Sequence, residues 1–201
     1  MTVPSTGAGR RERNKQDKLA RITAAASALF AERGVDEVTT QQIADAADIG
    51  TGTLFLYAKT KGELLLMVQN HHYKAALERG TRLAAESDTA LDAVMAITAP
   101  IIECNRAQFD NGRTYLREMA FGDHTEENHA AALAIVGDTE IAVSSQLKRF
   151  AVTPEAEAMN LARVVSAVLF LTMATSPKTQ TVSEIVAATE QQLRAAIRPR
   201  R

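Results

Sequence analysis

Between Thr40 and Lys61 the sequence sets out side chains suited to a polyanion and to the edges of stacked bases: Thr40, Thr51, Gly52, Thr53, Leu56, Tyr57 and Lys61. Gly52 has no side chain, so the start of a helix carrying it can come close to the floor of a duplex major groove. Thr51 and Thr53 offer hydroxyls and methyls to base edges or phosphates. One turn on, Leu56 can meet thymine methyls and the Tyr57 phenol can reach a phosphate. Lys61 falls in the first turn of the next helix, where free amides and an ammonium together suit a phosphate oxygen. Thr40 stands at the start of the preceding helix and can do the same on the other flank. Leu54 and Phe55 are left to face inward or to be half-buried.

Short helices must position this set. From Lys15 onward Leu19, Ile22, Ala26, Leu29 and Phe30 recur at three- and four-residue steps, the period of an amphipathic helix. Gly34 ends it, as glycine does just past a helix C-terminus. Thr39 and Gln42 have the spacing of a capping box, opening a short helix with Ile43, Ala44 and Ala47 inward. After the break at Asp48-Ile49-Gly50 a second short helix begins at Thr51. Two short helices joined by a tight turn and packed on a longer one are the parts of a helix-turn-helix. Thr60 and Glu63 repeat the capping-box spacing and open a long helix to about Ala84, and Ser87-Asp88-Thr89 caps another. Asp110-Asn111-Gly112 reads as a turn before a short helix from Tyr115 to Phe121. A helix follows from Glu126 to about Phe150, then one opened by Thr153-Pro154-Glu155, and a last one opened by the box Thr181/Glu184.

The composition agrees with helices throughout. Of 201 residues 46% are apolar but only 4% aromatic, with no Trp, a palette for close-packed helices rather than a sandwich or barrel. Charge is uneven: residues 1–21 carry six basic against two acidic side chains, and residues 84–145 carry three basic against eleven acidic. One end attracts polyanions and the body repels them. A single cysteine, Cys104, excludes a disulfide framework, and it reads more readily as a small core residue than as a redox sensor. No uninterrupted apolar stretch approaches the roughly 18 residues of a membrane span. The start has no apolar signal region, so a cytoplasmic protein without a membrane partner is expected.

Residues 15–65 resemble the DNA-binding region of the TetR family of regulators, and the segment IADAADIGTGTLFLYAKTKGELL, residues 43–65, is similar to that family's recognition stretch throughout. The resemblance implies that Thr51, Gly52, Thr53 and Tyr57 occupy positions that touch DNA, and that Thr40 and Lys61 occupy phosphate-contacting positions. The chain departs from the family at Phe55, where a Tyr is usual, and at Ala58, where a bulky residue is usual. The implied architecture is all-α with about nine helices. Residues 1–14 would be a disordered basic arm, residues 15–60 a three-helix helix-turn-helix domain, and residues 61–201 a helical effector-binding and dimerisation domain.

The function expected from this is a ligand-responsive regulator, a repressor binding an inverted-repeat operator in double-stranded DNA as a homodimer. A small apolar or aromatic effector would release it. Met95, Phe109, Tyr115, Met119, Phe121 and Phe170 are the candidates to line an effector pocket. The helices opening near 154 and 181 are apolar beyond the needs of one core. Val164, Val168, Leu171, Leu193 and Ile197 are therefore expected on a dimer seam, as the resemblance also implies. No nucleophile–base pair or phosphate loop is legible, so no catalysis and no cofactor are expected. Glu126-x-x-His129 has the spacing of a di-iron ligand pair but occurs once, and no metal site is expected. The rival reading is an architectural DNA-binding protein without a ligand, for which the sparse base-reading set leaves room.

Overall fold

The computed structural model describes residues 6–197. Among them stand nine helices: α1 Thr6–Arg33, α2 Thr40–Ala46, α3 Thr51–Leu54, α4 Lys61–Ala85, α5 Ala90–Arg106, α6 Phe109–Phe121, α7 Glu127–Arg149, α8 Glu155–Thr175 and α9 Val182–Ala196. Helices α1 to α3 form a small head on the start of α4. Helices α4 to α9 form the body, with α4 against α5 and α7, and α8 between α7 and α9.

Local hydrogen bonding explains several boundaries. The Thr39 side chain accepts from the Gln42 amide while the Gln42 side chain returns to the Thr39 amide, and Thr181 with Glu184 repeats the device at α9. Gly34 leaves α1 with φ +78, a conformation costly for a residue with a Cβ, and donates to the Phe30 carbonyl. At Thr60 only half the expected box forms. Its hydroxyl accepts from the Glu63 amide at 3.1 Å, but the Glu63 carboxylate is buried instead of returning to Thr60. Helix α8 starts one residue later than the sequence signal, with Pro154 at the N-cap and the Thr153 hydroxyl donating to Glu157.

Two expectations change here. Residues 6–14 are helical rather than disordered, and residues 1–5 of that arm lie outside the described residues. Arg, Glu, Lys and Gln are good helix formers, so they extend a helix already nucleated further on. Asp110, Asn111 and Gly112 are not a turn but follow Phe109 in the first turn of α6. A Cβ at Gly112 would collide with the Asn105 carbonyl, so the glycine serves the close approach of α5 and α6.

The core is in two clusters. One joins Ile22, Ala26, Phe30, Ile43 and Leu54 of the head to Leu64, Leu65, Tyr73, Ile102 and Met173 of the body. The other fills the far end around Val94, Ile97, Leu147, Ala162 and Leu193. Head and body thus share one continuous apolar cluster.

Candidate nucleic-acid interface and effector cavity

Leu54 is fully buried and anchors α3 in the head, which leaves the opposite side of that short helix outward. There Gly52 is exposed, with no atom within 4 Å of where a Cβ would stand. Leu56 is 83% exposed and Phe55 44%, both high for large apolar side chains on a small head. The other expected side chains are held rather than free. The Thr51 hydroxyl donates to Gln41 at 2.6 Å, Tyr57 donates to the Lys15 carbonyl at 3.4 Å, and the Lys61 ammonium donates to the Asp36 carbonyl at 3.0 Å. Thr40 and Thr53 are half-buried. The turn before α3 is fixed by Asp48, at φ 53, whose carboxylate is paired with Arg21 of α1 at 3.2 Å. Ala58 is buried, so the site beneath the recognition segment is closed without a bulky residue.

The body holds a half-open cavity of about 470 Å³ between α4, α5, α6, α7 and α8. Ile101, Leu116, Met119, Ile135, Leu169, Phe170 and Met173 make its wall apolar. Tyr73 and Tyr115 stack beside it, ring centroids 4.2 Å apart at 15°. Burial holds both phenols protonated, Tyr73 well above the usual range and Tyr115 also raised. Asn105 donates to Tyr73 at 2.7 Å, and Tyr115 donates to Asn70 at 2.9 Å. Polar groups gather where Arg163 pairs with Glu140 at 3.6 Å beside His124.

Residues 22–68 match the model of the bacterial regulatory proteins, tetR family. The head is a tetR-family DNA-binding domain. The whole chain shares the fold of solved structures, two TetR-family regulators from Thermus thermophilus among them. The Thermus thermophilus FadR, a TetR-family repressor in complex with lauroyl-CoA, is 21% identical with a TM-score of 0.72, over 91% of this chain and 96% of that one. RolR in complex with resorcinol is 18% identical with a TM-score of 0.68, over 90% and 89%. A putative transcriptional regulator from Rhodococcus sp. RHA1 is 16% identical with a TM-score of 0.69, over 91% and 96%. Among curated proteins no sequence relative matches.

Of the six pocket residues expected in this tetR-type body, Tyr115, Met119 and Phe170 line the cavity. The other three do not. Met95 packs in the far cluster, Phe121 is 82% exposed at the end of α6, and Phe109 lies outside under the Arg106 guanidinium, 4.6 Å from its centre. Two seam residues are likewise corrected: Leu193 and Ile197 are 0% and 4% exposed inside the chain's own core. Val164 and Leu171 are 48% and 61% exposed, and Val168 is half-buried. Helix α8 is long and apolar enough to cross a membrane by length and composition, yet one side of it packs on α7 and α9. Cys104 is half-buried, and burial pushes its thiol up to about 11, which favours the neutral thiol. No cluster of three or more metal-ligating side chains occurs among the described residues.

Sequence reasoning missed what links cavity to head. Asn111, near the start of α6 and 1% exposed, accepts from the Val35 amide at 2.8 Å and donates to the Phe30 carbonyl at 2.9 Å. It therefore holds the end of α1. Seven residues on, Glu118 lies over the start of α4, where a Cβ at Gly62 would stand 2.6 Å from its carboxylate oxygen. Tyr115, Leu116 and Met119, on the same helix, line the cavity. Asn111 gave no signal beyond helix-breaking composition, because its partners are some eighty residues away in the chain.

Proposed function

We propose that the chain is a ligand-responsive transcriptional repressor that binds an inverted-repeat operator as a homodimer and lets go when a small apolar or aromatic effector enters the body. It acts as a cytoplasmic regulator and not as an enzyme. Residues 15–60 serve DNA binding, and residues 61–201 serve effector binding and dimerisation. Gly52 and Leu56 enter the major groove. Thr51, Thr53 and Tyr57 contact bases or phosphates once the duplex competes for their present partners, and Thr40 and Lys61 hold the flanking phosphates.

The observation that carries this reading is that α6 both lines the cavity, at Tyr115, Leu116 and Met119, and holds the end of α1 through Asn111, with Glu118 lying against Gly62 at the start of α4. A ligand that pushes α6 outward drags the end of α1 and the start of α4 with it, and the recognition segments of the two subunits change their spacing. The ligand's preference for the released shape sets the effect, typically about 1–3 kcal/mol of coupling. An apolar wall of this volume suits an aromatic ring or an acyl chain, and the lauroyl-CoA and resorcinol held by FadR and RolR are such ligands. The seam is formed by the outward face of α8, with Val164, Val168 and Leu171, since exposed apolar side chains on one helix face favour a partner surface.

The test is binding to duplex from the gene's own upstream region against unrelated duplex, for wild type and Lys61→Ala. Specific binding is expected to exceed non-specific by roughly 10³-fold. Lys61→Ala should lower the salt slope by about 1. Lauroyl-CoA or resorcinol is then titrated into the complex. Equal binding to both duplexes, with no release, would favour an architectural protein instead.

A further inference from the structure

We propose that the cleft between α1, α4 and α5 is a second small-molecule site, which takes an uncharged molecule with an apolar body and a carboxamide or lactam edge. The cleft holds about 540 Å³, is half-open to solvent, and shares no lining residue with the cavity in the body. The repressor reading concerns that other cavity and the DNA-facing side of the head, so the two stand or fall separately.

The buried part of the lining is mostly apolar. Phe30 of α1 and Val68 and Ala76 of α4 are buried there, and Cys104 of α5 is half-buried. Among them stands Gln69, a residue only 9% exposed. Its side-chain amide has no hydrogen-bond partner among the described residues. Buried side-chain amides are bonded in the large majority of cases, so an unpartnered one facing a cleft marks a place for a ligand. A carboxamide presents a donor and an acceptor side by side. Its complement is an edge of the same kind, N–H beside C=O, which closes a ring of two hydrogen bonds with it.

Charge around the cleft selects a neutral molecule. Arg79 of α4 and Glu103 of α5 are half-exposed and pair with one another, so neither is free to hold a counter-ion. Burial, and after it the neighbouring His71, lower the proton affinity of His72, whose imidazole is therefore neutral near pH 7 with one donor and one acceptor. An ion entering here would lose water without gaining an unpaired opposite charge. The cleft also joins head to body. Ser27 and Phe30 belong to α1, and Gln108 in the lining accepts from Asn111, the residue that holds the end of α1. A molecule seated in the cleft touches the link between head and body without entering the other cavity.

The probe is benzamide, with benzoate as its charged isostere. Cys104 is the chain's single cysteine and lines this cleft, so the rate at which methyl methanethiosulfonate modifies it reports on the site. Benzamide should slow the modification in a saturable manner, and benzoate at equal concentration should not. Gln69→Leu replaces an unpartnered amide by an apolar side chain of similar size, so its thermal melt should match or exceed that of wild type. The benzamide concentration that gives half-protection should rise about 10-fold or more in this variant, the loss expected of two hydrogen bonds. Absence of protection in wild type overturns the proposal, as does protection that is equal with benzoate or undiminished in Gln69→Leu. The benzoate comparison needs no variant and decides the matter even if Gln69→Leu folds poorly. No DNA is present, so either result leaves the repressor reading to its own test.

Discussion

Replacing Gly52 by Ala separates what the recognition helix needs for folding from what it needs for DNA. A Cβ at this position meets nothing within 4 Å, the residue is exposed, and its φ is not in the left-handed region. The folded protein therefore has room for the methyl, and the helix prefers it. Alanine exceeds glycine by about 0.8–1.0 kcal/mol in a helix interior, and somewhat less in a helix as short as Thr51–Leu54. Gly52→Ala is expected to stabilise by about 0.5 kcal/mol, or roughly 1–2 °C in Tm for a chain of this size. DNA affinity is expected to move the other way. A methyl forced into a close-packed contact costs about 1–3 kcal/mol, which is about 5- to 150-fold in Kd. A thermal melt and fluorescence anisotropy with the upstream duplex read the two effects on one preparation. A drop in Tm would refute the reading that the position is open. Raised Tm with unchanged affinity would refute the placement of this helix start in the groove.

Two further perturbations address the body. Asn111→Ala leaves the Val35 amide and the Phe30 carbonyl without their buried partner, at about 1–3 kcal/mol for each group. Tm should fall by roughly 5–15 °C, and in the surviving folded protein effector should release DNA less effectively; unaltered melting would show that these bonds do not hold the head. Glu63 is a pH test. Burial raises its carboxyl above the ordinary 4.5, against the opposing influence of Asn128. A carboxyl whose folded pKa is raised adds stability below its unfolded value and loses it as pH climbs through the folded one. Glu63→Gln, always neutral, should melt above wild type at pH 7–8, with the lead shrinking as pH falls toward 4.5. A lead that does not vary between those pH values would contradict the burial argument.

The far cluster shows why side-chain destinations escape a linear reading. Leu193 and Leu171 are both leucines on amphipathic helices of the same region, yet one is 0% and the other 61% exposed. Period alone gives each helix an apolar stripe, but it does not say whether that stripe meets the chain's own helices or remains outside. The cavity in the body has the same difficulty on a larger scale. Tyr73, Ile101, Tyr115, Ile135 and Met173 come from five helices, and each sits on an ordinary core-like stripe. Phe109 and Phe121 matched the composition of a pocket and were excluded from it by the direction in which α6 presents them.

What the sequence by itself determined is whatever is settled within about four residues of chain. The capping boxes at Thr39 and Thr181, the stop at Gly34, the short helices around Asp48 and the outward placing of Gly52 and Leu56 around a buried Leu54 depend on local hydrogen bonds and on one helical period. Those features carry the tetR-type head, and they were legible before any fold was known. The tertiary structure alone decided where long-range partners fall. It turned the Glu63 carboxylate inward instead of back to Thr60, tied Asn111 to the end of α1, and set Glu118 over Gly62. It also showed that the basic start of the chain continues α1 as a rod. These outcomes depend on which helix faces which across tens of residues, and the energy of such contacts is not written in any local pattern.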